Sequence, residues 1–251
     1  MKTKVWQRSI GAWLFFPILL AAATLGADSI WWFTSFILYL TIALTVSVGY
    51  HRLFCHNAFE CSEFWHWFFG IVGCISLNTS PLQWSAVHIQ HHKLSDTDAD
   101  PYDSNFNHYL RFKERTDIPP TKNEVRLLRK PMHKLFLEHS LSICLIYATL
   151  TLLFGVKAFI FLWALPTSTY LVTAGLQTIF AHAGKLKPND TRRSTARNLW
   201  ILEFVIPMGG EWLHKEHHEK PKLMDWGTRF YYYDMGAQLI RLIGKNAKQS
   251  T

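Results

Sequence analysis

The chain has 251 residues, of which 49% are hydrophobic and only 18% are charged, and its formal net charge is +8. Soluble globular domains usually carry about a quarter of charged residues, and here the apolar residues form long blocks, so an ordinary soluble domain is excluded. The 26 Lys and Arg residues do not gather into one stripe, which argues against a nucleic-acid partner and favours contact with an anionic membrane face. The four cysteines form no CxxC pair and are interpreted as reduced thiols.

Four long apolar blocks predict four transmembrane helices. About 20 apolar residues span the hydrocarbon core of a bilayer, and shorter stretches are feasible in helix pairs. The blocks form two hairpins with very short turns at residues 28–29 and 155–157, and Pro166 is expected to kink the last helix. The predicted helices cover residues 11–27, 30–49, 136–156 and 158–181.

Two other apolar stretches, residues 64–77 and 199–208, are too short for an ordinary span. The first contains His66 and the second contains Glu203. Runs of this length are typical of interfacial or re-entrant segments. We therefore predict that neither crosses the membrane, with a tilted span kept as the alternative for the first.

The Lys and Arg residues predict which side of the membrane each segment faces, because cytoplasmic segments carry an excess of both. The N-terminal tail has three, residues 51–134 have ten, the tail from Lys185 has twelve, and the two hairpin turns share one. The prediction is an all-α, multi-pass integral membrane protein. Both termini and a helical cap, made of residues 51–134 and 184–251, lie in the cytoplasm.

Eight of the thirteen histidines fall into three clusters with the spacing of metal ligands. Imidazole is the commonest neutral metal ligand near pH 7. The predicted topology places all three clusters on the cytoplasmic side, together with His182 at the end of the last helix, so one shared site is predicted. The clusters are His51 and His56; His88, His91 and His92; and His214, His217 and His218.

Helix geometry indicates which histidines reach the same metal. In each HxxHH cluster, positions i, i+3 and i+4 share one helix face. His51 and His56 are separated by about 140° around a straight helix. They reach one ion only if the helix ends or bulges there, and we predict instead that each serves a different metal.

The number and type of ligands favour a di-iron centre. Zinc usually takes four ligands, so eight or nine histidines overfill it, and imidazole also suits iron. The carboxylate-rich pattern of soluble di-iron bundles is absent from the sequence. Two five- or six-coordinate iron ions that activate dioxygen fit best. The sequence has no flavin or nicotinamide fingerprint, so electrons are expected from a separate protein.

Three segments resemble those of the membrane fatty acid desaturases, especially the acyl-CoA branch that includes stearoyl-CoA desaturase. Residues 49–53 (GYHRL) are similar to that branch's GxHRLxxH segment. Residues 84–101 (WSAVHIQHHKLSDTDADP) closely resemble its second histidine box, and Gly210 and Glu211 precede a third. The resemblance covers residues 39–244 and implies one desaturase-like domain over residues 1–251.

The resemblance also implies a reaction and its partners. Two Fe2+ ions, dioxygen and two electrons form a cis double bond in a fatty acyl chain linked to CoA, a carrier protein or a lipid. The donor is a separate protein of the ferredoxin or cytochrome b5 type. The family often has Asn where this chain has Thr178, so a water-mediated ligand there is open. The implied ligands are His51, His56, His88, His91, His92, His182, His214, His217 and His218.

Five residues near the boxes are candidates for supporting roles. By family analogy Trp84 lines an apolar tunnel for the acyl chain. Asp96, Asp98, Asp100 and Glu211 are candidates to accept hydrogen bonds from ligand histidines. The alternative for the acidic residues is a solvated turn.

Arg192, Arg193 and Arg197 are candidates to bind a phosphate head group or an acidic donor, and the alternative is a surface that faces solvent and lipid. Two other functions stay open for the whole chain. One is a related di-iron membrane hydroxylase or a lipid-linked desaturase. The other is a membrane metal-binding protein, which predicts ligands at mid-membrane depth.

Overall fold

The computed structural model describes residues 13–102, 121–187 and 190–245, and this part of the chain is mostly helical, as predicted. Its two short strands, β1 (Glu60–Cys61) and β2 (Gly244–Lys245), pair antiparallel. The helices are α1 (Phe15–Thr24), α2 (Ser29–Leu44), α3 (Glu63–Ile75), α4 (Pro81–Leu94), α5 (Lys122–Leu128), α6 (Pro131–Leu153), α7 (Val156–Phe159), α8 (Leu165–Ala181), α9 (His214–Glu219) and α10 (Met235–Ile243).

Two π-helical segments and one 3-10 helix complete these elements. π1 (Thr45–Cys55) continues α2, and π2 (Ile160–Ala164) joins α7 to α8. The helix Trp200–Phe204 is 3-10. Pro166 stands in the first turn of α8, directly after π2. The widened turn therefore lies where proline removes a backbone donor.

Three continuous helices are long and apolar enough to cross a membrane, namely Ser29–Cys55, Pro131–Leu153 and Val156–Ala181. They correspond to three of the four predicted spans, although the helix that matches span 136–156 ends at Leu153, and they identify a membrane protein. The remaining span is represented by α1, which is apolar but has ten residues. Residues 11 and 12 of that prediction lie outside the described residues.

The turn between the last two long helices lies at residues 154–155, slightly before its predicted position at 155–157. α6 ends at Leu153 and α7 begins at Val156. Gly155 in between has φ 106°, which is readily adopted only by glycine. Large apolar side chains such as Ile146 and Leu153 are exposed on this hairpin, as a surface that faces lipid requires.

The core is centred on π1, whose eleven residues are all buried. Two glycines let α3 approach it closely. A Cβ at Gly73 of α3 would lie 2.2 Å from the Tyr50 ring, and one at Gly49 of π1 would lie 2.4 Å from Phe69. α3 also packs against α6, and with thirteen residues it is shorter than the three membrane-capable helices.

Candidate metal centre

Nine histidines meet at the end of π1, where α4, α9 and the end of α8 come together. They form two groups, and within each group one ligand atom from every residue lies within 4.8 Å of the others. All nine side chains are buried or half-buried. The first group is His51, His56, His88, His92 and His217, and the second group is His91, His182, His214 and His218.

The two groups are interleaved because α4 and α9 each contribute to both. On α4, His88 and His92 join the first group while His91 joins the second. The pattern on α9 is reversed, with one histidine in the first group and two in the second. Two short helices therefore hold the groups next to each other.

The prediction that His51 and His56 serve different metals is wrong, because both lie in the first group. The cause is the wider turn of π1. The His56 amide donates to the His51 carbonyl at 3.0 Å, which is the i+5 bond of a π-helix. This turn brings the two ring centroids to 5.0 Å. A straight α-helix would keep the two side chains about 140° apart. The wider π-helical turn and the end of the helix together bring them to the same side.

The ring nitrogens have the mutual distances of metal ligands. His217 Nε2 lies 3.0 Å from His51 Nε2, 3.3 Å from His88 Nε2 and 2.8 Å from His92 Nε2. One proton cannot satisfy three such contacts. At metal–nitrogen distances of about 2.0–2.1 Å, ligands at right angles lie about 3 Å apart. The spacing in the first group therefore fits coordination of a metal ion.

The ligand nitrogens are also in the protonation state that a metal requires. Burial lowers the pKa of His56 to about 3, helped by repulsion from Arg52. Burial likewise holds the pKa of His88 and His217 well below its usual value. Neutral imidazoles present a free lone pair. His56 Nε2 is buried without a hydrogen-bond partner in the described part of the chain, which is unfavourable unless a metal pairs with it.

Two aspartates of the turn after α4 hold histidines of the second group. His91 Nδ1 lies 2.8 Å from Asp100 Oδ1, and His182 Nδ1 lies 2.8 Å from Asp96 Oδ1. All four side chains are buried. When Nδ1–H donates to a carboxylate, the tautomer is fixed and Nε2 is left for the metal.

The other two acidic candidates differ from each other. Glu211 places both carboxylate oxygens within 2.9 Å of His51 Nδ1, in the first group. Asp98, by contrast, is not brought to the histidines. Its side chain is 91% exposed and forms an ion pair with Lys185. The Asp98 side chain points into solvent, so for this residue the alternative of a solvated turn is correct.

Sequence reasoning missed two neighbours of the ligands. The Gln177 amide lies 3.0 Å from His214 Nδ1 and donates to the Glu211 carbonyl at 2.9 Å. A side-chain amide within an apolar helix was a usable signal, because such residues usually have a function. Trp226 packs on His51 and His217, with centroids at 5.1 and 4.6 Å. Its position outside any motif gave no signal.

A cavity of about 40 Å³ lies between the histidines and the membrane helices. Val46 of π1 and Ala174 of α8 belong to its apolar wall. Trp84 also lines it and stacks on His88, with centroids 4.8 Å apart and an interplanar angle of 17°. Thr178 lines the cavity too, but its hydroxyl donates to the Ala174 carbonyl at 3.1 Å. The cavity is therefore bordered both by membrane-capable helices and by the ligands.

Comparison with known proteins identifies the family. The sequence model described as fatty acid desaturase matches residues 29–245. The Delta-9 acyl-lipid desaturase 1 of Arabidopsis thaliana is 26% identical over 220 residues, which cover 82% of this chain and 70% of the relative. The sn-1 stearoyl-lipid 9-desaturase of Anabaena variabilis is 24% identical over 224 residues, covering 82% of this chain and 78% of the relative.

The Acyl-CoA desaturase 1 of Saccharomyces cerevisiae is 26% identical over 231 residues, which cover 81% of this chain and 42% of the yeast protein. The family match extends over most of the chain. The chain belongs to the fatty acid desaturase family, and the resemblance seen in its three histidine segments is confirmed. It is an oxidoreductase that acts on fatty acyl chains.

Proposed function

We propose that this desaturase binds two Fe2+ ions, one in each histidine group, and uses dioxygen to introduce a cis double bond into a fatty acyl chain carried on CoA. The observation that carries the proposal is the pair of adjacent, buried, all-nitrogen groups of five and four histidines. Such donor sets suit iron. The smaller group leaves positions for water or oxygen.

The substrate assignment is supported by similarity and by the cavity. Residues 84–101 resemble the acyl-CoA branch most closely, and the yeast relative is named an acyl-CoA desaturase. The plant and cyanobacterial relatives are named for position 9 of lipid-linked chains. We therefore expect a bond at carbon 9 of a CoA-linked chain, with lipid-linked chains as the alternative substrate.

We also propose four spans, with residues 11–27 as the first. Ala22 of α1 is fully buried in a cluster with Ile160, Phe161 and Leu165, so one face of α1 packs against the helix bundle. Phe16 and Leu20 on the rest of α1 are exposed, as a helix at the lipid-facing edge of a bundle would be. The Lys and Arg distribution supports cytoplasmic termini and a cytoplasmic cap of residues 51–134 and 184–251. One domain then contains the whole reaction site.

Iron, when bound, supplies the activation of dioxygen. The chain itself performs three tasks. Buried imidazoles stay neutral, and carboxylates hold the Nδ1 protons of His51, His91 and His182, so each Nε2 is oriented. The apolar wall beside Trp84 positions methylene groups near the ligands, and burial of each methylene contributes about 0.8 kcal/mol. Close positioning of an inert carbon lowers the barrier to its reaction.

Expression in a host that lacks unsaturated fatty acids tests the proposal. We expect monounsaturated chains in the lipids by mass spectrometry, with the double bond located by fragmentation, and about two iron ions per chain in purified protein. A hydroxylated product would assign the chain to the related hydroxylases. Zinc at full occupancy with no iron would refute the di-iron centre.

A further inference from the structure

A basic cleft of about 700 Å³ lies against the second histidine group. The half-buried ligand His218 forms part of its wall. The cleft shares no lining residue with the 40 Å³ cavity beside Trp84. The metal centre is therefore approached from two separate directions, and only the direction through the cavity is lined by membrane helices.

The cleft is positively charged. Four exposed cations line it. Glu219 lies 3.7 Å from one of them, and Asp190 forms an ion pair with another. The other two have no acidic partner within the described residues, so the wall keeps a net positive charge. The cations are Arg192, Arg193, Arg197 and Lys215.

Hydrogen bonds connect the segment that carries the arginines to residues of the metal centre and to the end of α8. Asp96 contacts His182 Nδ1 through one oxygen and accepts from the Thr195 amide at 2.7 Å through the other. The Arg197 amide donates to the Ala181 carbonyl at 2.8 Å. A carboxylate that supports a ligand histidine therefore also fixes the wall of the cleft. The backbone that carries the arginines is held in place before any partner arrives.

The reaction requires electrons from outside the chain. The acyl chain gives up two hydrogen atoms, and dioxygen takes these with two electrons and two protons to become two waters. We propose that the cleft is the docking site of a small acidic one-electron carrier protein, with His218 as the ligand nearest to it. This proposal rests on the proposed function. Complementary charge at such a surface speeds encounter.

A phosphate-bearing acyl head group is the competing occupant. It is disfavoured because the proposed function places the acyl chain in the cavity beside Trp84, which shares no lining residue with the cleft. A carrier protein, in contrast, needs a broad charged surface and one ligand edge. His218 lies in the wall of the cleft, so a carrier protein contacts a ligand there without access to the cavity.

The test is charge reversal in cells that supply their own electron donor. Arg192→Glu with Arg193→Glu is expected to lower unsaturated product by about tenfold or more, since reversal turns attraction into repulsion. Arg192→Lys with Arg193→Lys should keep most of the product. The matched control is Lys122→Glu with Arg129→Glu, at the start of α5 and directly after its end. Both residues are exposed and outside the cleft, and the same charge change there should leave product unchanged.

A single turnover of purified protein separates docking from chemistry. Dithionite supplies the electrons directly, with stearoyl-CoA as substrate. The reversed variant should form as much product per iron as the wild type, at the same half-saturating stearoyl-CoA concentration. A higher half-saturating concentration would assign the cleft to the acyl head group and overturn the proposal.

Two other results would also overturn it, namely normal product in cells or lost turnover with dithionite in the reversed variant. Failure of the proposed function looks different. In that case the wild type itself forms no unsaturated product, either in cells or with dithionite.

Discussion

The two histidine groups lie side by side but are built differently. The first has five members, and π1 supplies His51 while His56 follows directly after its end. The second has four members, two of which are held by Asp96 and Asp100. One group depends on an unusual helix in a packed core. The other depends on carboxylates in a turn.

The groups also differ in their surroundings. The described neighbours of the first group include the buried Trp226 and the stacked Trp84, whereas His218 of the second group reaches the basic cleft. The difference indicates a division of labour. The first group has two half-buried members, His56 and His92, whereas the second group contributes a ligand, His218, to the wall of the basic cleft. Substitutions in each group test this difference.

The largest effect is expected from removal of one ligand in either group. His91→Ala and His88→Ala should each abolish unsaturated product, while much of the protein stays in the membrane. Each variant loses one nitrogen and leaves the other group complete. Iron analysis should therefore fall from about two toward one ion per chain. Normal product from His91→Ala would contradict the assignment of the second group as a metal site.

A smaller effect is expected from the carboxylate that holds His91. Asp100→Ala removes the acceptor of the His91 Nδ1 proton, and loss of such partners typically lowers metal affinity or activity by about 10–100-fold. Product yield and iron content measure this. Asp98→Ala is the matched control, since Asp98 lies in the same turn and is exposed. An equal loss in both variants would show that the turn as a whole, rather than the His91 contact, matters.

The sequence predicted one shared histidine site, but not how the histidines divide between two groups. Spacing alone places His88, His91 and His92 on one helix face, because i, i+3 and i+4 are neighbours on any α-helix. Which of them share a group depends on where α9 packs, and that is a tertiary property. The apolar runs predicted four spans from length and composition, and three of them correspond to membrane-capable helices.

The π1 bulge could not be predicted in this way. It requires the close approach of α3, which glycines at positions 49 and 73 permit. Glycine in an apolar helix has many other causes, so its presence did not indicate a bulge. The error over His51 and His56 followed from the assumption of a straight helix.

Gly73→Ala tests whether the first group depends on this packing. The added Cβ would lie 2.2 Å from the Tyr50 ring, and overpacking of this kind costs typically about 1–3 kcal/mol. We expect a lower thermal midpoint and weaker iron binding in the first group, with less change in the second. The control is Gly155→Ala at the exposed hairpin, which strains a positive φ but leaves π1 intact. Equal iron loss in both variants would show that the ligand geometry of the first group does not depend on the packing of α3 against π1.

The smallest effect is expected at Gln177, a neutral partner of a ligand. Gln177→Leu removes the contact with His214 Nδ1 and the bond to the Glu211 carbonyl. Neutral hydrogen bonds are roughly half as strong as those to charged groups, so the loss of product should be on the order of threefold to tenfold. Thr178→Ala is the control, because its hydroxyl bonds within its own helix. A loss from Gln177→Leu as large as that from Asp100→Ala would mean that the amide holds the second group as firmly as a carboxylate does.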